Sequence, residues 1–328
     1  MSAHSLILST PRWNPGERTG ETYLHRFVPD ADGRFRYHGS GRIEGTLIND
    51  YAIDESSPGV VRVAASSFSP NDFRFTYLAT LEPAAAPQEM RELGRTGPIA
   101  SGETLQSARF LGDRAYLVTF RQIDPFFVYD LSNPAQPTAL GELKIPGFST
   151  FLFPVGSHHV LGIGYDGGGW PRRVKASLFD VTDPTRPLEQ STLLLGDSYT
   201  ESDALWDPHA FTWYSPPTAT DDLPGGGSEG TMAIPLRSYA SWYGTQATSG
   251  IRVVSVRPAR GASALSSNGT LSMDDLLAAS GDGYAGWRTG DARRAVFVGS
   301  NVYAIADGAV RSAPIATPAS PIATVAVP

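Results

Sequence analysis

Short runs in which apolar and polar residues alternate occupy most of this chain. They end at Gly, Pro, Asp or Asn, residues that favour turns, and alternation with a period of two is typical of β-strands with one buried face. Helical periodicity is nearly absent. The best helical candidate is Ser272–Ala279, where Ser272 could cap a single short helix. The pattern therefore predicts an all-β protein.

One sequence unit occurs twice in the middle of the chain. The segment Phe126–Pro137 recurs about fifty residues later as Ala176–Pro187, and both copies contain Asp-x-(Ser/Thr)-(Asn/Asp)-Pro. The aspartates can cap a turn and the prolines fix φ, and neither proline suits a central strand. We therefore predict that each copy forms the hairpin between the third and fourth strands of a repeated module.

Two short strands precede each copy and one follows it, so with its own strand each repeat has four strands, which is typical of the blades of a β-propeller. We predict a single domain over residues 1–328 with about six four-stranded blades, at approximately residues 5–43, 47–94, 105–144, 149–195, 203–272 and 294–327. We also predict strands at Leu47–Ile53 in the second blade and at Ala204–Trp206 in the fifth, whose long insertions lie at residues 216–230 and 237–250. The first blade lacks its innermost strand. Because an open sheet edge is a pairing liability, either the C-terminal tail closes the ring or the sequence is the later part of a larger propeller.

Composition narrows the class of protein further. Apolar residues make up 41%, charged residues 18%, and Gly and Pro number 34 and 26, which suits many short strands and turns. A net charge of −7 disfavours nucleic acid as a partner. The sequence contains neither a transmembrane segment nor an evident signal peptide, and the absence of Cys excludes disulfides. We expect a monomer, unless an N-terminal portion is a separate chain.

Three segments in the central blades carry a resemblance to a known family. They are Ser107–Pro125, Gly141–Thr150 and Leu161–Gly164. The chain resembles secreted prokaryotic proteins with a C-terminal β-propeller distantly related to WD repeats. The resemblance implies an extracytoplasmic location and further propeller sequence before the residue where this chain starts, and it implies no established reaction.

Propeller ligands usually gather on the loops at one mouth of the central channel, and loops carry function more often than strands do. On the predicted strand order these loops are residues 66–72, 94–104, 121–125, 146–150, 166–173, 196–201 and 237–250. We expect them to face one another.

Several residues near these loops are candidates for ligand binding. Arg109, Arg121 and Asp124 could either pin adjacent blades or recognise an anionic ligand. Aromatic side chains could stack on a glycan or a peptide, although several of them could instead fill blade cores. The candidates of this kind are Trp170, Trp206, Trp213, Trp242 and Tyr243, and His209 lies beside them in the sequence.

Four carboxylates lie close together in the sequence between the fourth and fifth blades. Asp197, Glu201, Asp203 and Asp207 could supply oxygen ligands to Ca²⁺, although their spacing does not match an EF-hand loop, and solvated turn carboxylates are the alternative. The histidines lack the spacing of a zinc site. No other cofactor is indicated.

Three functional hypotheses follow from these patterns. The first is a non-catalytic extracytoplasmic propeller that binds a protein, peptide or glycan at the channel mouth. The second is a hydrolase or lyase that acts on an extracellular polymer with carboxylates and arginines around the channel. The third is an assembly module that needs a further N-terminal portion. The first two hypotheses differ in one structural requirement. An enzyme needs acid and base side chains within hydrogen-bond reach of one shared point, and a binding module does not.

Overall fold

Strands dominate the structure. A computed structural model of the chain describes residues 5–13, 20–56, 59–68, 74–82, 89–120, 124–167, 172–197, 199–216, 229–239, 246–279 and 291–327. The chain forms two compact units, Met1–Ile145 with Pro184–Arg186, and Pro146–Asp183 with Pro187–Pro328. Among the described residues, no helix has both the length and the apolar character needed to cross a membrane. The all-β prediction is confirmed.

The described residues of the first unit form three antiparallel sheets. The first sheet contains β1 (Leu6–Trp13), β2 (Gly20–Pro29) and β3 (Phe35–Glu44). The second contains β4 (Thr46–Leu47), β5 (Ile53–Glu55), β6 (Val61–Phe68), β7 (Arg74–Glu82) and β8 (Arg91–Arg95). The third contains β9 (Thr104–Leu111), β10 (Arg114–Phe120), β11 (Asp124–Asp130) and β12 (Thr138–Ile145). Because β4 and β5 both pair with β6, they act as two halves of one edge strand.

The described residues of the second unit also form three antiparallel sheets. The fourth sheet contains β13 (Phe148–Val155), β14 (His159–Tyr165), β15 (Val174–Asp180) and β16 (Leu188–Leu194). The fifth contains β17 (Thr200–Glu201), β18 (Thr212–Tyr214), β19 (Gly230–Tyr239), β20 (Gln246–Val256) and β21 (Leu265–Ser272). The sixth contains β22 (Ala292–Val298), β23 (Asn301–Ala306), β24 (Ala309–Pro314) and β25 (Ala323–Ala326). The boundaries of all six sheets lie within a few residues of the predicted blade ranges.

Alternating residues of neighbouring sheets form the cores inside each unit. One cluster joins the first and second sheets and includes Leu24, Val63 and Tyr77, while another joins the fifth and sixth sheets. Burying a large apolar side chain contributes roughly 1.5–3 kcal/mol, so these clusters hold adjacent sheets together. The Tyr77 hydroxyl donates to the Glu44 carbonyl at 2.5 Å, and burial raises the pKa of this phenol.

The repeated Asp-x-(Ser/Thr)-(Asn/Asp)-Pro segment forms the predicted hairpin in both copies. Asp130 Oδ1 and Asp180 Oδ1 each accept a backbone N–H bond two residues later, at 2.9 Å in both turns. In the first unit the turn also packs against the preceding sheet, because a Cβ at Gly94 would lie 2.4 Å from the Ala135 carbonyl oxygen. The turn therefore fixes both its own hairpin and the neighbouring sheet.

The fifth sheet repeats this arrangement with a different turn sequence. Ser191 on β16 donates its hydroxyl to the Ala262 carbonyl at 2.9 Å, within the turn between β20 and β21. Gln190 Nε2 donates to the Pro258 carbonyl in the same turn, at 2.7 Å. The turn between third and fourth strands is thus a point of attachment in both units.

Two predicted strands are wrong because side chains cap local turns instead. Leu47–Ile53 is interrupted by a 3₁₀ helix, Asp50–Ala52, where the Asn49 side chain accepts from the Tyr51 N–H. Ala204–Trp206 largely forms another 3₁₀ helix, Asp203–Leu205, capped by Ser202. Local hydrogen bonds from Asn and Ser side chains compete with strand pairing in this way.

The predicted insertion at residues 237–250 is largely strand. β19 continues to Tyr239 and β20 begins at Gln246, with Arg237 paired opposite Ser249. Most of the predicted insertion at residues 216–230 lies outside the described residues.

Two shorter predictions concern the C-terminal region. Asp274–Ala279 forms the short helix α1, whose first N–H donates to Ser272 Oγ at 3.1 Å. The tail supplies β25, which pairs with β24 as an outer strand. Assignment of the whole chain to a single domain stays a prediction, as does the way in which the ring closes.

Candidate functional site

A pocket of about 270 Å³ lies in the second unit, at one end of the fifth sheet. Leu236, Gly250 and Ser272 are side by side in register on β19, β20 and β21, and all three line it. Asp197 and Thr200 come from the passage between β16 and β17. Two of the predicted ligand loops, residues 196–201 and 237–250, therefore contribute to one pocket.

Two glycines allow the pocket wall to form. A Cβ at Gly250 would lie 2.6 Å from the Leu271 carbonyl oxygen, and one at Gly196 would lie 2.4 Å from Thr200 Cγ2. Both distances are shorter than any normal contact, so a larger residue at either position would displace the backbone or Thr200. Close approach of neighbouring chain segments is one reason for glycine in a strand or loop.

Arg252 supplies the positive charge of the pocket. It lies on β20, paired with Ile234 on one side and Thr270 on the other. Its Nη1 donates to Ser267 Oγ at 3.2 Å, but its Nε is buried and has no hydrogen-bond partner among the described residues. Burial lowers the pKa of this guanidinium, and the charge of Asp197 opposes that shift. Within the described part of the chain, no ion pair joins Arg252 to Asp197.

The remaining polar groups of the wall are linked to one another. Ser238 Oγ and Thr248 Oγ1 lie 2.5 Å apart across β19 and β20. Asp274 Oδ1 accepts the Ser249 N–H at 2.8 Å, and Ser249 Oγ accepts the Ala292 N–H at 2.9 Å. Such bonds hold the pocket in one arrangement before any ligand enters, which lowers the entropic cost of binding.

Arg109, a predicted ligand residue, lies in the first unit. Its guanidinium is 4.4 Å from the centre of the Tyr51 ring, and its Nη1 is buried and has no hydrogen-bond partner in the part of the chain that the structure describes. Burial lowers the pKa of this group, while Tyr51 and the charge of Asp54 oppose the shift. Because Tyr51 belongs to the second sheet and Arg109 to the third, the contact joins adjacent sheets. Whether Arg109 serves only to pin adjacent blades or also recognises an anionic ligand stays a prediction.

The other two members of that group cannot be placed in the same way. Arg121 lies outside the described residues. Asp124 begins β11, but its side chain is also outside the described part of the structure. Their predicted part in ligand binding stays a prediction.

The four carboxylates proposed for calcium have separate surroundings. Asp197 lines the pocket, and Glu201 pairs in register with Arg237. Asp203 forms ion pairs with Arg237 and, at 3.7 Å, with Arg293. Asp207 contacts His209 Nδ1 at 3.0 Å and Arg294 at 3.5 Å.

Arginine charges therefore offset two of these carboxylates without a metal. Among the described residues, no group of three or more Asp, Glu or His side chains could hold a metal ion. Calcium binding at Asp197, Glu201, Asp203 and Asp207 stays a prediction.

The predicted stacking residues differ in exposure. Trp206 is 58% exposed, so its ring is open to a partner. Trp213 donates to Ser215 Oγ at 2.8 Å and packs against Phe153 at 5.0 Å between ring centres, which is a role within the fold. His209 is exposed beside Asp207. Trp170, Trp242 and Tyr243 lie outside the described residues.

Comparison with protein families decides the fold class. The model of the beta propeller domain family matches residues 1–317. The chain belongs to the beta propeller domain family. The predicted all-β propeller is thereby confirmed, and several of the described sheets have four strands.

Two curated relatives of this propeller come from archaea. An uncharacterised protein of Methanocaldococcus jannaschii is 39% identical over 174 residues, and one of Archaeoglobus fulgidus is 38% identical over 174 residues. Each match covers 53% of this chain but only 26% and 25% of the respective relative. The solved structure of Saccharomyces cerevisiae Sqt1 is similar at 10% identity over 84% of each chain, with a TM-score of 0.35, too low to support a structural argument.

Sequence reasoning missed Arg252 as a site residue. The available signal was a charged residue between apolar neighbours, Ile251 and Val253, on a predicted strand. A charge in that position must face a partner, a pocket or solvent, and the sequence does not show which.

Proposed function

We propose that this propeller is a non-catalytic binding module that holds its ligand in the pocket at the end of the fifth sheet. The supporting observation is that two predicted ligand loops meet there around Arg252, whose Nε is buried without a partner. Binding sites are usually clefts in which a few polar groups converge. A volume of about 270 Å³ lies near the lower end for small-ligand sites, roughly 300 Å³. The pocket therefore suits one small group, free or displayed by a protein, peptide or glycan.

We further propose that the protein acts outside the cytoplasm, as a secreted or cell-surface propeller of the kind distantly related to WD repeats. The support is the resemblance of the central blades to secreted prokaryotic propellers. Fractionation of cells that express the full-length native protein tests this location. Recovery of the protein in the cytoplasmic fraction would contradict it.

A pocket-blocking variant tests the binding function. Thr248 lines the pocket and is exposed, so Thr248→Trp should fill the opening without disturbing a buried core. Ala316→Trp, at an exposed position in the turn between β24 and β25 and outside the pocket, is the matched control. Each labelled protein is applied to an array that displays immobilised glycans and peptides, and its fold is checked by circular dichroism and thermal melting.

We expect the wild-type protein and Ala316→Trp to bind the same features of the array, and Thr248→Trp to lose them while its melting temperature is retained. Unchanged binding by Thr248→Trp would show that the pocket is not the site. If the wild-type protein binds no feature, the binding function itself is contradicted.

A further inference from the structure

We infer that the pocket takes a neutral ligand rich in hydroxyl groups, a sugar residue, which accepts a hydrogen bond from Arg252 and donates one to Asp197. This inference rests on the proposed binding function and names the ligand class for the same pocket. It starts from the fact that Arg252 and Asp197 both line the pocket without forming an ion pair with each other in the described structure.

The charges of the wall limit the gain for an ion of either sign. Arg252 is accompanied by two carboxylates, Asp197 and Asp274. An anion would gain from Arg252 but would be repelled by both carboxylates, and a cation would gain from the carboxylates but would be repelled by the guanidinium. A hydroxyl group can both donate and accept. Adjacent hydroxyls of one sugar ring can therefore satisfy Arg252 and Asp197 together at no net charge cost.

The rest of the wall has the same chemistry. Hydroxyl side chains dominate it, and they are Thr200, Ser238, Thr248, Ser249, Thr270 and Ser272. The apolar contribution comes from Leu195 and Leu236, and no aromatic ring lines the pocket within the described residues. Binding therefore depends on hydrogen bonds rather than on stacking, and we expect dissociation constants on the order of 1 mM for a free monosaccharide.

Ligand-observed NMR measures this directly. Glucose, galactose and mannose are tested as neutral probes, and sodium acetate and ethylammonium chloride as singly charged probes. The proteins are the wild type, Arg252→Gln, Asp197→Asn and the control Arg260→Gln, whose side chain is exposed on the turn between β20 and β21. Arg252→Lys is added because it keeps the charge but loses the planar donor geometry.

We expect at least one monosaccharide to bind the wild type and Arg260→Gln equally. Arg252→Gln and Asp197→Asn should each weaken that binding about tenfold, since a hydrogen bond to a charged group is lost. Melting curves for each variant show whether a loss reflects unfolding.

The outcomes separate this inference from the proposed function. If acetate or ethylammonium binds and the sugars do not, the sugar class is wrong and the binding function stands. The same holds if the protein binds only the peptides of the array and Thr248→Trp abolishes that binding. If the sugars bind to the wild type and the substitutions at Arg252 and Asp197 leave that binding unchanged, the assignment of sugar binding to this pocket is wrong. If neither array nor sugars give binding, both fail.

Discussion

Arg109 in the first unit and Arg252 in the second present the same electrostatic problem with different solutions. Each lies on a strand, each has one buried nitrogen without a hydrogen-bond partner, and burial lowers the pKa of both. Arg109 rests on the Tyr51 ring at 4.4 Å, whereas Arg252 faces a pocket. The comparison suggests a criterion: a buried arginine that the chain itself covers is structural, and one that a cavity covers is a candidate for binding.

The edge strands of the second and fifth sheets are both interrupted by a short helical segment. In the second sheet the interruption at Asp50–Ala52 places Tyr51 against Arg109. In the fifth sheet the interruption between β17 and β18 places Asp203 against Arg237. Similar breaks in two blades thus supply partners to different arginines.

The largest loss of stability is expected when Arg62, the arginine with the most complete set of partners among those compared, is replaced. Arg62 pairs with Asp54, donates to the Gly112 carbonyl at 2.6 Å and lies 5.3 Å from the Phe110 ring centre. Arg62→Met would leave Asp54 without its arginine. We expect the free energy of unfolding, measured in urea, to fall by about 3 kcal/mol.

The control for this variant is an exposed ion pair in the same unit. Arg42 pairs with Glu21 at 3.0 Å with 60% of its side chain exposed, so Arg42→Met should cost less than about 1 kcal/mol. Equal losses in the two variants would show that Arg62 does not join the second and third sheets.

A double-mutant cycle sharpens the assignment of Arg109. We expect Arg109→Leu and Tyr51→Leu to be each destabilising and, combined, to cost less than the sum of the single changes, by about 1 kcal/mol of cation–π coupling. Thermal and urea unfolding measure the cycle. Strict additivity would mean that the ring and the guanidinium do not stabilise one another.

The fold was readable from the sequence because its signals are local. Alternation defines each strand, and Pro134 and Pro184 mark the same turn in two blades. The errors occurred where a side chain competes with strand pairing, as when Asn49 caps the turn at Tyr51.

The site was less predictable because it depends on contacts between distant segments. The loops at residues 196–201 and 237–250 were expected to contribute to a ligand site, and residues of both line the pocket. What the sequence could not show is that β20 directs Arg252 toward the pocket without an ion-pair partner, since that follows from the register of three strands and the path of the passage before β17. Pairing between distant segments is not encoded in any single stretch of the chain.

The smallest change in the free energy of unfolding is expected when Arg252 is replaced. The sign of that change tests whether an arginine covered by a cavity serves binding rather than the fold. A part-buried guanidinium with a buried nitrogen that has no partner among the described residues pays a desolvation cost that no described ion pair offsets, so Arg252→Met should change the free energy of unfolding by less than about 0.5 kcal/mol or raise it. Arg109→Leu, measured alongside in the same urea titration, should lose stability. If Arg252→Met is destabilised as much as Arg109→Leu, then Arg252 serves the fold. If Arg252→Met instead keeps its stability but loses monosaccharide binding, the two arginines have different roles. Arg109 then serves the fold, and the ligand provides the contact that Arg252 lacks within the described structure.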